Sequence, residues 1–212
     1  MTHTLYYLFD PLCGCCYGAT SAVKEVIAAD DVNVVLLPSG LFSDSGGRQM
    51  DSEFAAYAWS NDQCIERLTG QIFTQLYRSQ VLGDDRQRLD SSAATLALTA
   101  VAITAPAQEF DTLKAIQYAR YVQGRDVTSQ ATLVELLQSL GLSQAAELVL
   151  ETNDQLVDAN RARLSKAQAL MQEFDARGVP SFIVQQGDTR RSISTNEIYT
   201  TPSALIHKVF TP

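Results

Sequence analysis

The sequence predicts an α/β fold whose sheet-forming segments lie at the two ends of the chain, with an all-helical insertion between them. Three observations carry this reading. Short apolar runs rich in β-branched and aromatic residues cluster within residues 4–37 and 179–194. From about Asp51 to Lys166 the apolar positions recur at helical spacings of three and four. The 212 residues, 46% of them hydrophobic, fit one domain, or one domain carrying a large insertion, around a substantial core.

The elements follow in order. Residues 4–9 form an aromatic-rich run that suits a buried strand, and Asp10-Pro11 breaks it. A helical pattern from about Cys16 to Ala29 places Ala19, Val23, Val26 and Ile27 on one face. Asp30-Asp31 turns the chain into a second strand, Val32 to Leu37. A strand–helix–strand unit of roughly 35 residues makes a parallel pair with a right-handed crossover. Residues 38–48 are loop-like, and helices are expected over 91–104, 109–122 and 130–140, with Gly124 and Gly141 at helix ends. A last long helix is expected from about Asp154 to Arg177, stopped by Gly178. Ser181 to Gln185 reads as a third strand, Gly187-Asp188 as a hairpin turn, and Arg190 to Ser194 as a fourth strand. Thr201-Pro202 opens a final helix through Phe210. This order is the layout of a thioredoxin fold with a helical domain inserted after its second strand. The boundaries fall at 1–48 plus 167–212 for the thioredoxin-like domain and 49–166 for the helical insertion.

A formal net charge of −8 argues against nucleic-acid or anionic-membrane partners, because nothing would neutralise the phosphates. The run Leu5 to Phe9 is too short for a secretory leader and lacks a basic start, so a cytoplasmic protein is expected, or a periplasmic one if a leader was removed. No stretch of about 18 apolar residues occurs, so no membrane span is expected.

The four cysteines carry the functional signal, since Cys13, Cys15 and Cys16 fall within four residues. A disulfide framework spreads its cysteines along the chain, whereas such a cluster points to redox or metal chemistry. Cys13 and Cys16 have the C-x-x-C spacing between a strand and a helix, which suits a reversible disulfide. Cys13 is expected just before the helix, where unpaired N–H groups favour its thiolate, and Cys16 one turn inside, able to resolve a mixed disulfide. Cys15 allows pairs with Cys13 or Cys16 on paper. Adjacent cysteines close a strained ring, so Cys15 reads as a bystander that, with Gly14, tunes the pair. Asp10 has two readings, a proton carrier for Cys16 or a turn residue before Pro11. As a carboxylate it would raise, not lower, a neighbouring thiol pKa.

The segment Phe9 to Gly18 resembles the active-site entry of the DsbA-like thioredoxin superfamily, especially its protein-disulfide isomerase branch. Members of that branch often carry Asp-Pro-x-Cys-Gly-Trp-Cys-Tyr-Gly, and Cys15 stands here where Trp is usual. Pro38 to Leu41, Leu68 to Phe73, Tyr121 to Thr128 and Arg177 to Phe182 also resemble that branch, so the likeness runs along nearly the whole chain. The resemblance implies a cis Pro180 facing the redox cysteines, with Val179 offering backbone groups to an extended substrate. Gly-x-Pro just before a strand is compatible with that, because Pro has no N–H to give a ladder. It also implies a thiol–disulfide oxidoreductase or isomerase, acting on protein or small-molecule thiols and disulfides, with no cofactor beyond its redox-active disulfide and with glutathione as a possible reductant.

The cysteine cluster admits two other readings. Cys13, Cys15 and Cys16 would suit a soft metal or metalloid, but a four-coordinate zinc site lacks its fourth ligand, so no metal site is expected. A glutathione-dependent isomerase or transferase on the same fold usually has Ser in place of the first cysteine, which the retained Cys13 and Cys16 oppose. Cys64 reads as a small packing residue among Trp59, Ile65 and Leu68. Tyr17, Gly18, Gly70 and Phe73 read as packing residues, and His3 and His207 are remote in sequence from the cysteines.

Overall fold

The structure is a computed structural model and describes residues 3–211; Met1 and Thr2, the start of the segment read for a leader, lie outside them. Four strands form one sheet in the order β2-β1-β5-β6: β1 (His3–Phe9), β2 (Val32–Pro38), β5 (Ser181–Gln186) and β6 (Thr189–Ile193). β1 runs parallel to β2, with Leu5 opposite Val34, and antiparallel to β5, with Tyr7 opposite Phe182. β6 returns antiparallel beside β5 across the Gly187-Asp188 turn. The strands at both ends of the chain therefore meet in one sheet, as the sequence predicts.

Alternation along β1 sends its side chains to two layers. Leu5, Tyr7 and Phe9 join the main core with Val23, Val26, Leu205 and Val209 of α2 (Thr20–Ile27) and α10 (Ser203–Phe210). Tyr7 stacks on both Phe9 and Phe182, with centroids 5.1 Å apart in each pair. Leu8 faces the other way and packs with Leu37, Ile183, Ala167 and Leu170, the last two from α9 (Asp154–Glu173). α9 is continuous through residue 167, where the sequence placed a domain boundary.

The insertion is built from α3 (Ser52–Thr69), α4 (Gln75–Tyr77), α5 (Ser92–Thr104), α6 (Glu109–Tyr121), α7 (Gln130–Ser139) and α8 (Ser143–Glu151). It is less uniformly helical than the sequence suggests. Gly70 ends α3 with φ of 74°, its N–H bonded to the Glu66 carbonyl. After α4, a π-helical turn covers Arg78–Leu82, and a small ribbon pairs β3 (Arg48–Gln49) with β4 (Arg88–Leu89). α5 is buried around most of its circumference, and its small residues Ala94, Ala97 and Ala100 let neighbours approach. The helix after the cysteines is also interrupted. α1 (Gly14–Gly18) stops at Ala19 before α2 begins. The Thr20 hydroxyl takes the Tyr17 carbonyl at 2.7 Å, competing with the helical ladder at the break. Ile27, expected on the buried face, is exposed.

Arg163 of α9 ties the insertion to the sheet. Its guanidinium donates to the Leu36 carbonyl of β2 at 2.9 Å, to the Thr99 hydroxyl of α5 at 3.0 Å and to the Glu109 carboxylate of α6. Burial pushes the Glu109 carboxyl up even against the attraction of Arg163, so desolvation outweighs the pairing. Arg163→Met is expected to lower unfolding free energy by about 3–5 kcal/mol, because it strands a buried carboxylate. Adding Glu109→Leu should restore most of that loss. Urea unfolding of the single and double variants checks this, and equal instability of both would contradict it.

Candidate active site

The site begins where β1 ends. Asp10 is fully buried and its two oxygens take three hydrogen bonds. Oδ1 accepts from the Leu12 N–H at 2.9 Å; Oδ2 accepts from the Phe42 N–H at 3.1 Å and the Ser91 hydroxyl at 2.8 Å. The Asp10 carbonyl also accepts from the Cys13 N–H at 3.1 Å. These contacts fit the turn-residue reading of Asp10. Burial raises its carboxyl pKa, and the three donors pull it partly back. The other side of the turn is held by Tyr121, whose hydroxyl donates to the Leu12 carbonyl at 2.7 Å.

Cys13 is the N-cap of α1, in extended conformation, and Cys16 sits one turn inside. Cys13 is 8% exposed and Cys16 is fully buried, so one sulfur of the C-x-x-C pair faces outward more than the other. All four cysteines are free thiols. The Cys13 thiol donates to the Val179 carbonyl at 3.6 Å, and the Val179–Pro180 peptide bond is cis. The C-x-x-C turn and the Val179-Pro180 segment, far apart in sequence, therefore converge. Tyr7 adds a hydroxyl on the sheet side, donating to the Cys16 carbonyl at 3.2 Å.

The thiols interact with one another. Hydrogen bonding from Cys15 draws the Cys13 pKa down, but the Cys16 thiol and burial outweigh it, so the Cys13 thiol lies well above its ordinary value in this fully reduced state. The Cys16 N–H, supplied by the start of α1, acts in the lowering direction that the sequence predicts for a helix start. The Cys15 thiol is raised chiefly by its bond to Cys13, then by burial, the Cys13 charge and Asp62; Tyr199 acts the other way. Cys15 thus stands beside Cys13 and Tyr199, in half-buried surroundings. Cys64 is exposed, which corrects its reading as a packing residue. It stands five residues from buried Trp59, about 140° round the helix. His3 opens β1, at the strand end away from Cys13, with its ring edge-on to Phe210. Among the described residues no group of three or more His, Cys, Asp or Glu is placed to hold a metal ion.

Several residues of the site do not stand out in the sequence. Asp62 of α3 is 5% exposed and accepts from the Tyr77 hydroxyl at 2.8 Å. Its other oxygen lies against Gly14, where an added Cβ would fall 2.1 Å from Oδ1, so a glycine is needed between Cys13 and Cys15. Arg120 of α6 is also buried, with its guanidinium over the rings of Tyr77 and Tyr121 at 5.5 and 5.7 Å. The available signal was a polar residue standing in an apolar helical stripe: Asp62 lies between Trp59 and Ile65, and Arg120 lies four residues after Ile116. These groups line a 300 Å³ cavity that reaches Cys13 and Cys15. A larger, 870 Å³ open groove beside Trp59 and Arg78 has no cysteine in its walls.

Fold and site together define a thioredoxin-type protein with a paired-cysteine turn set against a cis proline. Residues 4–198 match the DSBA-like thioredoxin domain, and the chain belongs to that family of disulfide oxidoreductases. Among solved structures it is similar to the cytosolic disulfide reductase DsbM from Pseudomonas aeruginosa, at 28% identity and a TM-score of 0.84, covering 95% of this chain and 94% of that one. A second structure of DsbM, with GSH, matches at 28% identity and a TM-score of 0.82 over 95% of each chain. A candidate protein disulfide isomerase from Nitrosomonas europaea shares the fold, at 21% identity and a TM-score of 0.80 over 98% and 97% of the two chains. No curated protein matches the chain.

Burial pushes the Asp62 carboxyl up to about 6, against the lowering effects of the Tyr77 hydroxyl and Arg120. An unfolded aspartate loses its proton near pH ~4. Between these values the folded state binds more protons than the unfolded state, so stability falls as pH rises. Asp62→Asn should remove a decline on the order of 2 kcal/mol between about pH 4 and 6. Denaturant unfolding of both proteins across that range measures the difference; parallel pH curves would contradict it.

Proposed function

We propose that this protein reduces disulfides through Cys13 and Cys16. The observation that carries the reading is the Cys13 thiol at the start of α1, aimed at the Val179 carbonyl before cis Pro180, with Cys16 buried one turn behind it. The Cys13 thiolate attacks one sulfur of a substrate disulfide, and the other sulfur leaves as a thiolate. The Cys16 thiolate then attacks Cys13 Sγ, releasing the second substrate thiol and closing a Cys13–Cys16 disulfide. The substrate has gained two electrons and the enzyme has lost two. Two small thiols, of the glutathione class, restore the dithiol and leave as their own disulfide. An extended substrate would lie along Val179 and Pro180, while Gly14, Cys15 and Asp10 set the shape and thiolate balance of the turn.

The reducing direction is supported by the likeness to DsbM, described as a cytosolic disulfide reductase and solved once with GSH. A cytosolic setting, where thiols are kept reduced, suits the same direction. Isomerisation uses the same first step, with a thiol of the substrate resolving the mixed disulfide before Cys16 does. The net charge of −8 suits thiol and disulfide partners better than nucleic acid or an anionic membrane.

Equilibration with glutathione buffers, followed by thiol trapping and mass measurement, tests the reading. The wild type is expected to form one reversible disulfide that Cys13→Ser and Cys16→Ser both lack. Thiols that never pair, or that pair equally well without Cys13, would overturn it.

A further inference from the structure

Arg120 is 3% exposed, yet its Nε has no hydrogen-bond partner. Among the described residues none of the ion pairs includes it. The ring faces of Tyr77 and Tyr121 offset part of the cost of burying this cation, but they supply no partner for its Nε. The Asp10 and Asp62 carboxylates are near enough to feel its charge but neither forms an ion pair with it, so an arriving anion would offset part of its desolvation cost.

The same cavity wall carries a charge of opposite sign. Asp62 accepts one hydrogen bond, from Tyr77 to Oδ2, and Oδ1 takes none among the described residues. Arg120 is near enough to lower the Asp62 pKa but forms no ion pair with it. A cation donor and an anion acceptor thus face one 300 Å³ space without forming an ion pair, and Cys13 lines that space. The rest of the wall includes Leu12, Phe54 and Ile65, which suit a short aliphatic chain. The volume lies at the lower end of the roughly 300–1,000 Å³ typical of small-molecule sites.

We infer that this cavity is a subsite for the α-amino-acid head of a small disulfide, with Arg120 taking its carboxylate and Asp62 its ammonium group. The inference rests on the proposed exchange at Cys13 and names its substrate class. A sulfur carried on such a head would be delivered to Cys13, which attacks it while the other half leaves as a thiolate; Cys16 completes the reduction. Two sources share this chemistry: cystine, with the head beside the sulfur, and a γ-glutamyl disulfide, with the head on a longer arm.

Single-turnover oxidation of the pre-reduced protein tests it without an added reductant. The probes are cystine, glutathione disulfide, cystamine with only the ammonium, dithiodipropionate with only the carboxylate, and uncharged hydroxyethyl disulfide. Each rate constant is divided by that of the same probe with a free thiol in solution, which removes intrinsic reactivity. Cystine or glutathione disulfide should exceed hydroxyethyl disulfide by at least about tenfold, and the faster of the two identifies the source. Arg120→Gln should cut the ratio of dithiodipropionate to hydroxyethyl disulfide, and Asp62→Asn the ratio of cystamine to hydroxyethyl disulfide. If either variant fails to fold, the wild-type series decides. Equal normalised rates, or selectivity for one charge alone, would overturn the subsite while leaving disulfide exchange intact. Failure of every probe to oxidise the protein would instead remove the exchange reading beneath it.

Discussion

The site depends on one buried carboxylate. Asp10 ends the central strand and gathers the Leu12 N–H, the Phe42 N–H and the Ser91 hydroxyl. Those donors belong to the cysteine turn, the loop after β2 and the start of α5, so one side chain registers the thioredoxin-like unit against the insertion. A carboxylate out of water is costly, and each bond it accepts lowers that cost. Its position has little slack, because loss of the Leu12 N–H leaves Oδ1 unpaired and loss of either other donor leaves Oδ2 with one bond. Tyr121 completes the clamp from the insertion side by satisfying the Leu12 carbonyl. The cysteine turn is therefore held by polar contacts from both halves of the molecule.

Such clamping places Cys13 in a confined setting. Burial and the neighbouring Cys16 thiol work against its ionisation, while the Cys16 N–H and the Cys15 thiol work for it. Cys15 stands where the resemblance expects Trp, so a thiol takes the place of an indole beside Cys13. Three neighbouring thiols and the first turn of a helix only five residues long therefore act together on the thiolate balance of this site.

Much of the fold was legible because it follows local rules. β1, β2, β5 and β6 are short apolar runs bounded by Asp-Pro, Asp-Asp and Gly-Asp turns, and their residues sit within one or two of the expected limits. The cysteine pair and the cis Pro180 were legible through their spacing and their resemblance to a family. The break at Ala19 was not, because it depends on a hydroxyl competing for one carbonyl. The same holds for the β3–β4 ribbon, whose two-residue strands carry no period. Asp62 and Arg120 escaped notice because each is a single polar residue on an otherwise ordinary helix. Only the convergence of α3 and α6 on the cysteine turn makes them neighbours. Cys64 is exposed because Trp59 and Ile65 turn to the buried face of α3, whereas Cys64 shares the outer face with exposed Leu68 four residues on.

The assignment of Cys13 as the attacking sulfur is the central claim, and one measurement reaches it directly. The Cys16→Ser variant, mixed with glutathione disulfide, has no resolving thiol at its buried position, so an adduct should accumulate. Peptide mass mapping locates it. Glutathione bound to Cys13 is the expected result. Adduct on Cys15 in its place, or adduct confined to the exposed Cys64, would contradict Cys13 as the nucleophile.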